Sequence, residues 1–504
     1  MRHHRKTLLA CAGLLALTAC SNNAPAPDKA ATGRHYGRIG FQPCTLAEPG
    51  AGGNVEAQCA TFEVPENRQA PQGRKIALNL AWLPATDEGA ALEDPVFFLA
   101  GGPGQAATQH AVMVDAALRE VRKQRHVVLV DQRGTGRSNP LECSDSEEGT
   151  SVADMDSLDE AALQAVSRQC VDALSRHADL RFYTTTEAIR DLDAVRAAIG
   201  AAQINLIGVS YGTRVAQQYA GTYPQHTRAI VLDGVAPNSL VVGGEFARRF
   251  DDALALQSKA CAADAACRAR YPTDLRTRLL ALKQRLATAP VEVTYRDPSS
   301  GQEKQDKLSA STVTGLTHAF SYMPATTSLL PLVLDEADQG RYGPLMSLAK
   351  FMDGQVSGQM ARGMQLSVIC AEDADRYRPD PADADTVMGD DLARLFFSPC
   401  PVWPKGERPA GFNQPLVSKV PALLMSGEQD PVTPPSYGEA VLKGLANGRH
   451  LVLRGQGHNV IGQGCMPKLV SQFIESADAK ALDAKCLDAI DGTPAFTSFN
   501  GWEP

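Results

Sequence analysis

The sequence predicts an α/β protein: a mostly parallel sheet with helices on both faces, interrupted by a large and mainly helical insertion. Short apolar runs typical of buried strands alternate with helical segments over two stretches of the chain. Between roughly residues 238 and 412 this alternation is lost. With 504 residues, 44% of them hydrophobic, the chain can bury a large core.

The first stretch contains short β-type segments separated by turn-rich loops. They cover residues 61–64, 76–82, 96–99 and 127–130, with a helical segment over 111–123 before the last of them. Strict alternation follows: a helix over 189–199, a strand over 203–209, a helix up to 223 and a strand over 229–232. Strands that alternate with helices in this way predict parallel pairing.

The insertion has helical patterns over residues 246–262, 274–287, 308–320 and 329–348. The α/β pattern then resumes with a strand over 420–425, a helix over 436–445, a strand over 449–453 and a helix over 468–477. We expect a first core segment over 36–237, a cap over 238–412 and a second core segment over 413–504. A cap inserted here should cover the carboxyl edge of the sheet, where sites on such sheets lie.

The sharpest local signal is the G-x-S-x-G sequence centred on Ser210. It directly follows the apolar run over 204–207 and opens a helical segment. A strand before and a helix after are the context of a nucleophile elbow, whose small flanking residues let the serine occupy a strained turn. The alternative is a serine in an ordinary glycine turn.

A serine hydroxyl needs a base to take its proton and a carboxylate to orient that base. Asp430 follows the strand over 420–425, and His458 lies in a glycine-flanked loop after the strand over 449–453. The order serine, acid, histidine suits this architecture. Glu428 is the competing acid.

Attack on a carbonyl also requires backbone N–H donors for the resulting oxyanion. The glycine-rich loop over 101–104 follows a strand and lets peptide groups approach a substrate. We assign the donors to Gly102 and Tyr211. A tight turn without function is the alternative for a Gly/Pro run.

The motifs over residues 101–104, 131–138 and 208–213, followed by the loops of Asp430 and His458, resemble the proline iminopeptidase and tripeptidyl aminopeptidase family of α/β-hydrolases. The resemblance runs from about residue 59 to 486, with a divergent cap. Ala100 stands where many proline iminopeptidases have histidine, which argues against strict proline specificity. The segment 131–138 is expected to support the site, with Asp131 and Arg133 in structural ion pairs.

The resemblance implies that cap carboxylates hold the free α-ammonium of a peptide substrate, which fixes how many residues are released. Glu372 and Asp373 are the candidates, and Glu245 is an outsider. A solvated acidic surface turn is the alternative. The expected function is a serine aminopeptidase that releases short peptides or single residues through an acyl-enzyme. An esterase or amidase acting on small substrates and a catalytically silent binding lipoprotein are the alternatives.

The composition and motifs of the chain argue against nucleic acid, metals and other cofactors as partners. The chain has 49 Lys+Arg against 57 Asp+Glu, a formal charge of −8, so it lacks the basic field that nucleic-acid binding requires. No cluster of residues at metal-ligand spacing and no phosphate or dinucleotide fingerprint occurs in the sequence, so we expect no metal or other cofactor. The sequence leaves the oligomeric state open.

The first 20 residues read as an export signal. A basic start precedes an apolar run over 8–19 that is too short to span a bilayer as a mature helix. The last four residues, ending at Cys20, resemble the lipobox of bacterial lipoproteins, and a polar, Pro/Ala-rich tether follows over 20–35. We expect residues 1–19 to be removed and Cys20 to be lipidated, which would anchor an exported protein to a membrane. The alternative is an ordinary signal peptide with a chance cysteine.

Twelve cysteines favour an oxidising compartment. Without Cys11, which lies in the signal, and Cys20, ten remain. The hypothesis is that they pair in chain order: Cys44 with Cys59, Cys143 with Cys170, Cys261 with Cys267, Cys370 with Cys400, and Cys465 with Cys486. Connectivity does not follow from sequence alone.

Overall fold

The computed structural model of the protein describes residues 33–48, 52–143, 159–356 and 359–501. The expected signal, most of the tether and Cys20 lie outside these residues. No helix among the described residues is long and apolar enough to span a bilayer.

The core is a ten-stranded sheet with the order β1-β2-β3-β4-β6-β5-β7-β8-β11-β12. Its strands are β1 Arg34–Tyr36, β2 Ile39–Ala47, β3 Asn54–Pro65, β4 Lys75–Leu83, β5 Val96–Leu99, β6 Val127–Val130, β7 Ile204–Val209, β8 Thr227–Asp233, β11 Ala422–Gly427 and β12 Gly448–Leu453. Pairing is antiparallel from β1 to β6 and parallel from β6 to β12. The expected α/β class with a mostly parallel sheet is confirmed.

Burial explains which strands the sequence revealed. Every residue of β5, β6, β7 and β11 is buried, because helices cover both faces of the parallel part of the sheet. Their continuous apolar runs were visible in the sequence. Strands β1 and β2 were not predicted, because most residues of β2 are not buried and it contains no continuous apolar run.

The helices outside the central insertion flank the sheet. They are α1 Ala111–Ala117, α2 Glu160–Leu174, α3 Thr185–Ile199, α4 Tyr211–Thr222, α14 Pro435–Leu442 and α15 Met466–Ser476. Helix α3 shows why they end where they do. The Thr184 side chain accepts a hydrogen bond from the Glu187 amide at its start, and Gly200 adopts φ 83° at its end.

The insertion folds mainly into helices. They are α5 Phe246–Ala263, α6 Ala265–Arg270, α7 Leu275–Thr288, α8 Ala310–Phe320, α9 Pro324–Thr327, α10 Leu330–Asp338, α11 Gly343–Val356, α12 Arg362–Glu372 and α13 Asp391–Phe397. A hairpin of β9 Val291–Arg296 and β10 Glu303–Leu308 was not predicted. The single helix expected over 329–348 is two helices, α10 and α11.

The helices of the insertion fall into two groups that pack in different ways. Apolar side chains from α5, α7, α8, α10, α11 and the hairpin form a hydrophobic cluster of their own. Most buried apolar side chains of α12 and α13 instead join the cluster under the sheet, together with Trp403. The second part of the predicted cap is thus packed against the sheet domain, and the boundaries 238 and 412 stay a prediction.

Five disulfides join the ten cysteines in chain order. They are Cys44–Cys59, Cys143–Cys170, Cys261–Cys267, Cys370–Cys400 and Cys465–Cys486. These are the five pairs of the sequential hypothesis. Cys370–Cys400 ties the end of α12 to the segment after α13.

Candidate active site

Ser210 occupies a strained turn between β7 and α4. Its backbone has φ 56° and ψ −124°, a positive-φ conformation that residues other than glycine rarely adopt. The glycines on either side are sterically required. A Cβ on Gly208 would lie 2.3 Å from the carbonyl oxygen of Gly212, and one on Gly212 would lie 2.2 Å from the carbonyl oxygen of Leu99.

Asp430 lies in the loop after β11 and is 3% exposed. Its Oδ1 accepts hydrogen bonds from the amides of Val432 (2.9 Å) and Thr433 (2.7 Å), and its Oδ2 accepts one from the Thr433 hydroxyl (2.8 Å). Burial opposes ionisation, but these donors and the nearby His458 outweigh it. The pKa of Asp430 therefore lies below its ordinary value.

His458 lies in the loop after β12, and its Nδ1 donates to Oδ2 of Asp430 at 2.7 Å. Burial lowers the pKa of His458, but the charge and hydrogen bond of Asp430 outweigh burial and raise it above the ordinary value. With Nδ1 engaged, the neutral imidazole presents Nε2 as the free base. This is the tautomer that proton transfer from a serine requires.

The ends of the strands bring the loops of Ser210 and His458 into the same region of the protein. The amide of Ser210 donates to the carbonyl oxygen of Asp233 at the end of β8 (2.8 Å). The next residue, Gly234, packs against the imidazole, since a Cβ there would lie 2.9 Å from Cε1 of His458. Within the described residues no hydrogen bond joins the Ser210 hydroxyl to His458, a contact that often tightens only when substrate is bound.

The glycine-rich loop after β5 lies directly on the elbow. A Cβ on Gly101 would lie 3.0 Å from Cβ of Ser210. Gly102 has φ 107°, and a Cβ on it would lie 3.1 Å from Sδ of Met360. Tyr211 is the first residue of α4, where backbone N–H groups have no partner within the helix. The 101–104 loop lies next to Ser210, and the assignment of Gly102 and Tyr211 as oxyanion donors stays a prediction.

The alternative acid Glu428 is placed elsewhere. Its side chain is exposed and its Oε2 accepts the Gly455 amide at 2.9 Å. Asp430, not Glu428, bonds to His458. Glu428 instead ties the loop after β11 to the loop after β12.

Glu372 and Asp373 are not on an open acidic turn, as the surface alternative supposed, but fully buried beneath the elbow. Glu372 accepts from the Thr185 amide (2.7 Å) and hydroxyl (2.9 Å), and Asp373 accepts from Arg214 (2.9 Å) and Arg376 (2.6 Å). Burial raises the pKa of Glu372 to about 7, against the opposing effect of Arg214. Since both carboxylates have internal partners, their contact with a substrate amine stays a prediction.

A hydroxyl links this cluster to the site. The hydroxyl group of Thr185 lies 2.6 Å from that of Tyr211, the residue after Ser210. Both oxygens of the Glu372 carboxylate accept hydrogen bonds from Thr185, and the residue is fully buried. The outsider, Glu245, is partly exposed and bonds to Arg249 and Tyr437.

The segment 131–138 supports the site, with one correction. Arg133 is fully buried and forms the expected ion pair, with Nε and Nη2 donating to Asp191 at 2.7 and 2.8 Å. Asp131 forms no ion pair among the described residues. Its carboxylate accepts from the amide and hydroxyl of Thr108 (both 2.9 Å) and from Asn79 (2.8 Å) instead.

Three residues around the histidine were missed by sequence reasoning. Thr433 stands three residues after the acid, the spacing of a local side-chain bond, and this signal could have identified it. Tyr322 accepts the His458 amide through its backbone oxygen (2.7 Å) and packs its ring edge-on at 5.2 Å, contacts that leave no sequence signature. In the sequence, the only sign of Asp233 was its place directly after the strand predicted over 229–232.

Comparison with known proteins finds a family match and several similar chains. A family profile described as the alpha/beta hydrolase fold matches residues 94–464. The serine protease Hip1 of Mycobacterium tuberculosis is 26% identical over 487 residues, which cover 89% of this chain and 91% of that protein. The tripeptidyl aminopeptidase of Streptomyces lividans is 29% identical over 188 residues, which cover 35% of each chain. Among solved structures, the proline iminopeptidase of Mycobacterium smegmatis is 15% identical, covers 84% of this chain and 100% of that chain, and has a TM-score of 0.39.

Proposed function

Because this chain belongs to the α/β-hydrolase family, we propose that it is a serine aminopeptidase whose nucleophile is Ser210, with His458 as base and Asp430 as the orienting acid. The observation that carries the proposal is the 2.7 Å bond between His458 and Asp430 on loops adjoining a strained serine elbow. The names of two relatives, a serine protease and a tripeptidyl aminopeptidase, support peptide substrates.

The reaction proceeds in two halves. The Ser210 hydroxyl attacks the carbonyl carbon of the scissile peptide while Nε2 of His458 takes its proton, and the backbone N–H groups of Gly102 and Tyr211 stabilise the oxyanion. The C–N bond breaks as His458 passes the proton to the leaving amine. Water, activated by the same imidazole, then hydrolyses the acyl-enzyme and releases the N-terminal fragment.

Three substrates test the proposal. A free-amine tripeptide anilide, its N-acetylated form and a short-chain ester are compared by kcat/KM on wild-type protein and on Ser210→Ala. The proposal expects the free-amine anilide to be preferred and all turnover to be lost in the variant. Preference for the acetylated peptide would exclude an aminopeptidase.

The amine-binding proposal has its own test. If Glu372 exchanges Thr185 for a substrate ammonium, Glu372→Gln raises KM for the free-amine anilide and leaves KM for the ester unchanged. Asp375→Asn is the control, since Asp375 is also acidic but pairs with Arg408 at an exposed site. An unchanged KM for the free-amine anilide contradicts the assignment.

An esterase is the second candidate. Carboxylesterase B of Mycobacterium tuberculosis is 30% identical over 192 residues, which cover 35% of this chain. The same triad serves esters and amides, so the relation favours neither by itself. The ester arm of the substrate comparison decides between them.

Export and lipidation of Cys20 complete the proposal. Five disulfides support an oxidising compartment. Metabolic labelling with an alkyne fatty acid should mark the wild-type protein and not Cys20→Ser. Equal labelling of both proteins would show that the lipid is attached at another position. No labelling of either protein would contradict the proposed lipid anchor.

A further inference from the structure

One residue contacts both catalytic loops. Asp233, the last residue of β8, is fully buried. Its backbone carbonyl oxygen accepts the Ser210 amide at 2.8 Å. Its carboxylate accepts the amides of Val460 and Ile461, both at 2.9 Å, with the Val460 amide shared between the two oxygens.

We propose that Asp233 is a positioning residue that sets the separation of Ser210 and His458, because it holds the nucleophile through its backbone and the histidine loop through its carboxylate. The inference rests on the proposed roles of Ser210 and His458. It deepens that function by giving the pair a common anchor outside the triad.

The histidine loop is held on both sides of His458. Asn459, between His458 and Val460, has φ 67°, a left-handed conformation that asparagine adopts more readily than most residues and that turns the chain sharply. On the near side the His458 amide donates to Tyr322, and on the far side the two amides donate to Asp233. The imidazole therefore projects from a short segment fixed at both ends.

The negative charge of Asp233 has a second effect, on the pKa of His458. Asp430 and Asp233 are the charged groups that act on His458, and its other neighbours include His318, whose pKa the charge of His458 lowers, and the ring of Tyr322. The charge of Asp233 raises the pKa of His458, and burial raises the pKa of Asp233 itself to about 6, with Asp430 also raising it. Removal of the Asp233 charge therefore lowers the pKa of His458, and the acid limb of the activity profile moves to lower pH.

The test variant is Asp233→Asn. The carboxamide keeps one acceptor but turns an N–H donor toward an amide that also donates, so the loop shifts. We expect the rate at which a fluorophosphonate labels Ser210 to fall by about tenfold or more. We also expect the acid limb of kcat/KM for the ester to move to lower pH. A labelling rate within about twofold of wild type, or an unmoved acid limb, overturns the inference.

Asp131→Asn is the matched control. Asp131 is equally buried, also follows a strand of the sheet, and also accepts a backbone amide, that of Thr108. A merely structural loss should lower the melting temperature of both variants, but only Asp233→Asn should move the acid limb. An equal shift in both variants would contradict the inference.

If Asp233→Asn does not fold, Ile461→Pro keeps the charge and removes one N–H donor to Asp233. It should slow labelling and leave the acid limb in place, and an unchanged labelling rate would overturn the inference. A wild-type protein that is not labelled at Ser210 overturns the proposed function and this inference together. A labelled wild type with an unaffected Asp233→Asn overturns this inference alone.

Discussion

The sheet and the cap contribute to the histidine in different ways. The loops at the ends of strands contact it through side chains of defined chemistry: Asp430 bonds to Nδ1, and Thr433 bonds to Asp430. The cap contacts it through the backbone oxygen and ring edge of Tyr322. The strand-end loops thus hold the histidine through side chains of particular types, whereas the hydrogen bond from the cap uses a backbone oxygen that any residue type could supply.

The largest effect should come from His458→Ala. Without a base the Ser210 hydroxyl keeps its proton, and kcat/KM should fall by about 10⁴-fold or more in single-turnover and steady-state assays. His450→Ala is the control, since His450 bonds to Ser426 and not to the site. Comparable losses in both variants would show that the fold, not the chemistry, was lost.

Asp430→Asn should cost about 10²- to 10⁴-fold in kcat, because the amide cannot hold the required tautomer. Its pH dependence is a second prediction with a definite sign. Activity needs neutral His458, and the Asp430 carboxylate raises the pKa of that histidine. The acid limb should therefore move to lower pH in the variant, and movement to higher pH would contradict the account.

Gly212→Ala tests the strand-end architecture itself. The added Cβ would lie 2.2 Å from the carbonyl oxygen of Leu99 and 2.7 Å from that of Ala100. Because the backbone must move, we expect the free energy of unfolding to fall by about 1–3 kcal/mol. We also expect a large loss of fluorophosphonate labelling at Ser210. Gly221→Ala in the same helix meets only the Leu416 side chain at 3.4 Å and should be neutral or stabilising in the same urea titration.

Thr433→Val removes a hydroxyl donor from Asp430 without changing the volume much. The loss of one hydrogen bond to a charged group predicts a kcat reduced by about tenfold. Thr227→Val, at a buried site whose hydroxyl bonds to Tyr223, is the control and should leave kcat near wild type. An unaffected Thr433→Val would mean that the two amides alone hold the acid.

The smallest effect should come from the cap. Tyr322→Phe keeps the backbone oxygen and the ring that contact His458, so kcat should stay within about twofold of wild type. Tyr322→Ala loses the ring and should lower kcat by less than about tenfold. If Tyr322→Ala lowered kcat as much as His458→Ala, the cap would matter as much to the reaction as the strand-end loops, and the distinction between the two regions would be wrong.

The same distinction explains what the sequence could predict. Strands β5 to β8 were predicted because burial on both faces leaves continuous apolar runs, and Ser210 because its glycines are sterically required. The strand-end rule then located Asp430 and His458. The hairpin of β9 and β10 was missed because β10 is mostly exposed and polar, and Tyr322 because it acts through its backbone.

The burial of Glu372 and Asp373 could not be predicted either. The alanine and acidic residues over 371–375 allowed a surface turn as the alternative to amine binding, and only the fold brings Arg214 from the helix behind Ser210 to meet Glu372 and Asp373. Such pairing joins residues 159 positions apart in the chain. A local reading of sequence contains no sign of it.

The most direct test of the central claim is the identification of the nucleophile. The folded, disulfide-bonded protein is treated with a fluorophosphonate, digested, and the modified peptide is sequenced by mass spectrometry, with and without an excess of a free-amine tripeptide. The account predicts a single modification on Ser210 that the tripeptide slows. Modification of another serine, or none, would contradict it.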